Sequence, residues 1–236
     1  MRKKSKVILI NIVLGSIILI LIFVHEQKTA PEQKQGLLPG VKTIFPVINK
    51  QNQSMGIGMV KPDFYREKVI YFYAPNLDKA VSENHPVDSL VFTQSETGFI
   101  IGYAPPWFYP AHIKLDYDLL LLKAVSLRKD WVQVEVNQQT GQTHWVDASK
   151  VNIIYWPEFL ISTSSIESNE ETNPLRSRPF DHASPSGAAS GILKVVEVKE
   201  AWVRVEILDK DFRRLGNGWL RWKIGDQMLI TYSLLN

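Results

Sequence analysis

Two stretches of the chain, residues 121–136 (LLKAVSLRKDWVQVEV) and residues 192–207 (ILKVVEVKEAWVRVEI), align without a gap. Seven of the sixteen positions are identical, whereas chance would leave roughly one. From Trp131 and Trp202 onward, alternate residues are valine or isoleucine, which is the period-two pattern of a half-buried antiparallel strand. The repeat therefore predicts the same strand pair twice.

The residues after each copy extend the repeat. Residues 137–141 (NQQTG) are typical of a hairpin turn. Trp145-Val146 then corresponds to Trp219-Leu220 if the second turn is three residues longer. No long stretch of this region has helical periodicity, so the fold is predicted to be mostly β.

The residues before each copy indicate an insertion in the first one. Tyr73-Ala-Pro75 aligns on Ser177-Arg-Pro179, a shift of 104 residues rather than 71. About 33 extra residues therefore lie in the first copy, within roughly 80–120.

The insertion is rich in aromatic residues. Residues 104–110 (APPWFYP) enclose three aromatics between prolines, which excludes a regular helix or a central strand. The loop either closes an open end of a barrel or presents a recognition surface. The repeat tryptophans likewise either cap a core or line the floor of a ligand groove. The predicted ligand-binding residues are Tyr103, Trp107, Phe108, Tyr109, Trp131 and Trp145.

The chain resembles the bacterial SH3-like family in the order of its elements, which are a long loop, a strand before WVxV, a tight hairpin and then W[VL]. Arg176, Ser177 and Pro179 match the family's opening segment, and residues 219–230 (WLRWKIGDQMLI) fit its closing strand pair. The resemblance implies an all-β fold of two small SH3-like β-barrels, the first with the insertion. It also implies non-catalytic recognition of peptide or cell-wall peptidoglycan.

The expected domains follow from these boundaries. Residues 56–161 would form the first SH3-like domain and residues 175–236 the second. Residues 162–174 (STSSIESNEETNP) are polar and acidic, which is typical of an interdomain linker. Residues 27–55 are rich in glutamine and lysine and are interpreted as a spacer.

An uncharged, mostly aliphatic stretch begins at Val7 and ends at Val24. As a helix it would be roughly 27 Å long, close to the thickness of a bilayer's hydrocarbon core. Four cations precede it and should stay in the cytoplasm. Residues 1–26 are therefore predicted to form one transmembrane signal-anchor in the cytoplasmic (inner) membrane. A cleaved signal peptide is the alternative, although Lys28 makes a poor cleavage pattern before Ala30.

Charge and composition exclude several classes of function. The chain has 27 basic and 24 acidic residues, and four of the basic ones precede the apolar stretch. The remainder of the chain is therefore nearly neutral. Because nucleic-acid binding usually needs an excess of positive charge, nucleic acid is not an expected partner. The absence of cysteine excludes disulfides, thiolate metal sites and cysteine nucleophiles. Neither HExxH nor GxSxG is present, and no cofactor, metal site or catalytic residue is predicted.

Three hypotheses of function remain. The leading one is a membrane-anchored binding module in the periplasm or at the cell surface, recognising cell-wall peptide, glycan or an envelope protein. The second is a structural or assembly component of a membrane-associated complex. The third is a cell-wall-active enzyme, for which His112 and Asp116 are the side chains to test.

Overall fold

A computed structural model describes residues 54–96, 98–186 and 190–234. These residues form two curled antiparallel sheets, a separate two-stranded pair and one α-helix, which confirms the mostly β prediction. The apolar stretch from Val7 to Val24 and nearly all of the spacer lie outside the described residues. Among the residues that are described, no helix is long and apolar enough to cross a membrane.

The first sheet contains nine strands. They are β1 (Gly58–Pro62), β2 (Val69–Tyr73), β3 (Pro86–Ser95), β4 (Gly98–Tyr103), β5 (His112–Lys114), β6 (Leu119–Arg128), β7 (Trp131–Asn137), β8 (Gln142–Asp147) and β9 (Val151–Tyr155). Their order is β4-β3-β2-β8-β7-β6-β1-β9, with β5 paired to β6. The predicted insertion thus supplies β3, β4 and β5.

The helix α1 (Trp156–Ser162) leads into the second sheet. Its five strands are β10 (Ser165–Ser168), β11 (Ile192–Lys199), β12 (Trp202–Leu208), β13 (Arg214–Arg221) and β16 (Ile230–Ser233). The short pair β14 (Lys223–Ile224) and β15 (Gln227–Met228) precedes β16. The order of the second sheet is β13-β12-β11-β10-β16.

The repeat extends to a whole five-strand unit. The order β8-β7-β6-β1-β9 within the first sheet is the same as the order β13-β12-β11-β10-β16 of the second. Both central pairs have a bulge at the same aligned place, around Val125 in one and Val196 in the other. Both turns contain a left-handed residue at the same position, Lys129 with φ 50° and Glu200 with φ 52°.

Strand register tests the flanking alignments. Trp145 lies opposite Gln133 and Trp219 lies opposite Arg204, which confirms that the second turn is three residues longer. Upstream, Tyr73 pairs with Trp145, whereas Arg176 bridges to Trp219. The structural counterpart of Tyr73 is therefore Arg176, one residue before the Ser177 of the sequence alignment.

The segment expected to be a polar linker, residues 162–174, contains a short strand of the second sheet. Its residues 165–168 form β10, which pairs with both β11 and β16 and occupies the place of β1 in the first unit. Further along, Asn173 Nδ2 donates to the Arg221 carbonyl at 2.7 Å. Strand β10 has only four residues, and Ile166 alone is buried, so its composition resembles that of a linker. The two-domain division itself stays a prediction.

Two hydrophobic cores lie on opposite faces of β1 and β6. Val60, Leu120 and Leu122 belong to the first core, whereas the alternate residues Met59 and Leu121 belong to the second. The second core also contains Leu193 and Trp222 from the second unit. Because strand side chains alternate between faces, β1 and β6 pack on both cores and join the two units.

Candidate functional site: a cleft between the two sheets

A cleft of about 500 Å³ opens where the first sheet meets the strands β15 and β16 of the second unit. Its apolar wall consists of Met55, Met59, Met228 and Trp156. Its polar groups are Lys123, Glu135, Gln138 and Tyr232. The cleft therefore combines an apolar surface with a few polar groups, as small-ligand sites commonly do.

Three cross-strand neighbours form one side of the cleft. Met59 of β1 lies opposite Lys123 of β6, and Lys123 lies opposite Glu135 of β7. Lys123 Nζ is 2.5 Å from Glu135 Oε2, and the two side chains are only 14% and 7% exposed. The same Nζ donates to the Ser54 carbonyl at 3.2 Å. Since each charge has a partner, the pair can remain largely buried beside the cleft.

The second copy of the repeat uses the equivalent pair differently. Lys194 and Glu206 are also opposite each other in register. However, Lys194 Nζ donates to the Thr163 carbonyl, and Glu206 Oε1 is 3.4 Å from Arg214 Nε. Identical residues in the repeat thus form a cleft-lining ion pair in the first unit and separate contacts in the second.

Aromatic side chains fix the opposite side of the cleft. Trp156 Nε1 donates to the Gly56 carbonyl at 2.9 Å. The ring of Tyr232 packs edge-on against Phe159 at 5.0 Å, and its hydroxyl shares a 3.1 Å hydrogen bond with His112 Nε2. Burial raises the pKa of Tyr232 to about 12 and lowers the pKa of His112. At neutral pH, both groups are therefore uncharged.

The apolar wall has an unusual composition. The chain contains four methionines, and Met55, Met59 and Met228 all line the cleft. The unbranched thioether side chain adapts to irregular partners and is common at surfaces that accept varied ligands. The wall can thus adjust to the shape of an apolar group.

The aromatic side chains in and beside the loop differ in exposure. Trp107 and Phe108 pack against the first core, with the Trp107 ring 5.3 Å from Phe72 and 4.7 Å from His144. Tyr103 and Tyr109, in contrast, are 48% and 46% exposed. The loop therefore closes the core with two rings, while its Tyr109, and Tyr103 at the end of β4, remain at the surface.

The two repeat tryptophans of the first unit differ in burial. Trp131 is buried and packs edge-on against Tyr73 at 4.9 Å. Trp145 is partly buried on β8, where it pairs with Tyr73. Of the six predicted ligand-binding residues, all of which are described, none lines the cleft.

The loop nevertheless supports one edge of the cleft. The Tyr109 carbonyl accepts a hydrogen bond from Gln138 N at 2.9 Å, and the Pro110 carbonyl accepts one from Gln138 Nε2 at 3.1 Å. The next residue, Ala111, lines the cleft together with Gln138. The loop thus positions cleft residues through its backbone rather than through its aromatic rings.

Sequence reasoning missed the cleft, although one signal was available. Lys123 and Glu135 are identical in both copies of the repeat, and the hairpin register places them opposite each other. A cross-strand charge pair that recurs in both copies of the repeat, on the face of the hairpin opposite the alternating valines, would have indicated a special environment. The contribution of Tyr232 has no comparable local signal.

The side chains proposed for an enzyme do not form a pair. His112 lies in β5 and bonds with Tyr232, whereas Asp116 is exposed in a 3₁₀ turn at Leu115–Tyr117. Within residues 54–96, 98–186 and 190–234, no group of three or more histidine and carboxylate side chains is placed to hold a metal ion.

The fold and the cleft define a β-rich protein built from a repeated five-strand unit. Comparisons with protein-family models, curated proteins and solved structures found no match.

Proposed function

We propose that this protein is a membrane-anchored, extracytoplasmic and non-catalytic binding module that takes a short peptide in the cleft between its two sheets. The observation that carries the proposal is the apolar wall of Met55, Met59 and Met228 beside the Lys123–Glu135 ion pair.

The chemistry of the cleft fits a peptide. Lys123 can donate to a carbonyl or carboxylate, and Glu135 can accept from an amide or ammonium group. The side-chain amide of Gln138 offers both functions. A peptide brings these groups together with apolar side chains that the methionines can accommodate. The volume of about 500 Å³ suits a segment of a few residues.

The cell-wall assignment rests on the sequence. The resemblance to bacterial SH3-like proteins implies recognition of peptide or peptidoglycan, and the repeated strand order of the two sheets supports a duplicated unit. The apolar stretch from Val7 to Val24, with cations before it, supports an anchor in the cytoplasmic membrane. Peptides of the cell wall are therefore the first ligands to test.

The test is binding of the full chain, purified in detergent, to cell-wall sacculi and to soluble cell-wall peptides. Ala111→Phe places a ring in the cleft, whereas Ile113→Phe adds a ring at a position that is 43% exposed two residues away. We expect Ala111→Phe to weaken binding at least about tenfold and Ile113→Phe to leave it unchanged. Equal binding by both variants would exclude the cleft as the site.

A structural or assembly role is the second candidate. Strand β4 ends the first sheet, and its outer edge pairs with no strand in the described part of the chain. Ile100 and Tyr103 on this strand are 49% and 48% exposed. An unpaired edge can add a strand from another protein. Crosslinking in cells from position 100 to one stoichiometric protein, without any peptide or glycan binding, would favour this role.

A further inference from the structure

The hairpin between β12 and β13 ends in an exposed apolar tip. Residues 210–215 (KDFRRL) are six consecutive exposed residues. Within them, Phe212 is 60% exposed and Leu215 is 61% exposed. Large apolar side chains at such a tip do not contribute to the core. Exposed apolar groups of this kind often mark an interaction site.

The backbone holds Phe212 in a conformation that bulky residues rarely adopt. Its φ is 59°, in the left-handed region that favours glycine. The carboxylate of Asp209 fixes the turn, because its Oδ1 accepts from Asp211 N at 2.8 Å and from Arg213 N at 2.9 Å. Phe212 N also donates to the Asp209 carbonyl at 3.0 Å. The aromatic ring is therefore displayed by an ordered turn.

The first copy of the repeat shows that the hairpin does not require this tip. Its shorter turn contains Gly141, with φ 72°, at the left-handed position. The aromatic loop covers that turn, since Tyr109 N donates to the Val136 carbonyl at 2.8 Å. The second turn is three residues longer and places phenylalanine where glycine would suffice. Backbone strain of this kind commonly marks a functional position.

Cations surround the apolar tip. Lys210, Arg213 and Arg214 are exposed, with Asp211 as the one acid among residues 210–215. Arg214 Nε is 3.4 Å from Glu206 Oε1, and the exposed Lys210 and Arg213 lie on either side of Phe212 in the sequence. An apolar tip with a cationic rim has the chemistry of a segment that enters the headgroup region of an anionic bilayer.

We propose that the β12–β13 tip binds an anionic lipid surface, with Phe212 and Leu215 among the headgroups and with Lys210 and Arg213 against lipid phosphates. A lipid surface fits better than a glycan or a folded partner. Residues 210–215 are all exposed, so the tip encloses no ligand but can enter a soft surface. The inference rests on the proposed membrane location, since an anchor would keep the tip close to a bilayer and make weak contacts sufficient.

The absence of cysteine from the chain allows a direct test. A single Leu215→Cys variant of the full chain, labelled with a polarity-sensitive fluorophore, is reconstituted in nanodiscs of phosphatidylglycerol or of phosphatidylcholine. Lys199→Cys, at the opposite end of the same hairpin sheet, is the control label. Phe212→Gly removes the ring and suits the left-handed backbone, so it should leave the turn folded.

We expect a shift of the emission to shorter wavelength at position 215 in anionic discs only, with no shift at position 199. Phe212→Gly should abolish the shift, and Lys210→Glu with Arg213→Glu should reduce it strongly. An unchanged spectrum in anionic discs, an equal shift in neutral discs, or a shift that survives Phe212→Gly would overturn the proposal. Co-purification of the chain with the discs shows separately whether the N-terminal segment anchors it. Binding of peptide in the cleft is measured in a third experiment, so failure of the tip proposal and failure of the proposed function are distinguishable.

Discussion

Lys123 and Glu135 form a largely buried ion pair across β6 and β7 at the edge of the cleft. The two aligned lysines each donate to a carbonyl just before the first strand of their own unit, Lys123 to that of Ser54 and Lys194 to that of Thr163. Only in the first unit does this lysine also pair with the carboxylate opposite it, that of Glu135. Lys123 and Glu135 together supply the two opposite charges of the proposed peptide site.

Removing one charge of this pair should destabilise the protein. Lys123→Met leaves the carboxylate of Glu135 buried without its cation, so the free energy of unfolding should fall by about 3 kcal/mol. Replacing Glu135 by methionine as well should restore most of this loss, because the unpaired charge is gone. Lys194→Met is the matched control and should cost about 1 kcal/mol, since a hydrogen bond to a carbonyl is lost.

Denaturant unfolding of the four proteins measures these differences. The double variant should also bind cell-wall peptide less well than the native chain despite its recovered stability. A double variant that binds as tightly as the native chain would show that the ion pair is structural only.

The cleft also depends on a glycine at its edge. Gly56 has φ 68°, and a Cβ atom there would lie 2.2 Å from the backbone oxygen of Ala124. Its own carbonyl accepts the hydrogen bond from Trp156 Nε1. Gly56→Ala should therefore lower the free energy of unfolding by more than about 2 kcal/mol and disturb the Trp156 fluorescence.

Gly225 provides the comparison, since its φ is 57° but nothing lies within 4 Å of an added Cβ. Gly225→Ala should cost only the backbone strain, about 1 kcal/mol. Equal losses for the two alanine variants, measured by thermal or denaturant unfolding, would contradict the close packing at Gly56.

Two partly buried histidines should make stability depend on pH. Burial lowers the pKa of His112, and burial also lowers that of His144 despite the opposing effects of the Tyr73 backbone and of Asp88. In the unfolded chain the histidine pKa is about 6.5, so the unfolded state takes up protons first as the pH falls. The free energy of unfolding should thus decrease below about pH 6.5 and level off below the folded-state pKa.

Denaturant unfolding at several pH values between 5 and 8 measures this dependence. His112→Gln retains a hydrogen-bonding amide near Tyr232 and should remove part of the slope, and His144→Gln should remove another part. If the slope is as steep in the double variant as in the native chain, other groups cause it.

The two roles of the aromatic loop can be separated by mutation. Trp107→Ala removes a ring that contacts Phe72 and His144, so it should lower the free energy of unfolding by about 2 kcal/mol. Tyr109→Ala removes a side chain that is 46% exposed and should cost less than about 1 kcal/mol. Sedimentation with cell-wall sacculi then shows whether Tyr109 contributes to recognition. Lost binding with unchanged stability would extend the ligand site from the cleft onto the loop.

The repeat hairpin could be predicted because its information is local. Valines at alternate positions determine which face of each strand is buried, and this fixes the register. The tryptophans then locate the following strand, and the register confirms the predicted correspondence of Trp145 and Trp219. The three-residue difference between the turns was visible in the alignment for the same reason.

The first strand of the second unit could not be found in this way. Strand β10 contains one buried residue, Ile166, and its neighbours are polar. Its pairing with β16 joins Ser165 to Ser233, so the partner that stabilises it is far away along the chain. A four-residue polar strand of this kind forms only in the context of the sheet.

Apart from the Lys123–Glu135 pair, which recurs in the second copy of the repeat, the cleft could not be predicted from the sequence either. It brings Ser54 together with Tyr232, almost the whole length of the described chain apart. The sequence patterns emphasise the repeat tryptophans and the proline-rich loop, whereas the cleft is lined by three separate methionines, one charge pair, and residues such as Trp156 and Tyr232 that lie outside the repeat. Only the packing of the second unit on β1 and β6 makes these residues neighbours.

The central claim, that a peptide binds in the cleft, is tested most directly by the methionine methyl groups. The full chain has four methionines, so ¹³C-methyl labelling gives a spectrum that can be assigned by single substitutions. On titration with a soluble cell-wall peptide, we expect saturable shifts of the Met55, Met59 and Met228 signals and none of Met1. Saturable binding to the chain without any shift of those three methyl signals would contradict the account.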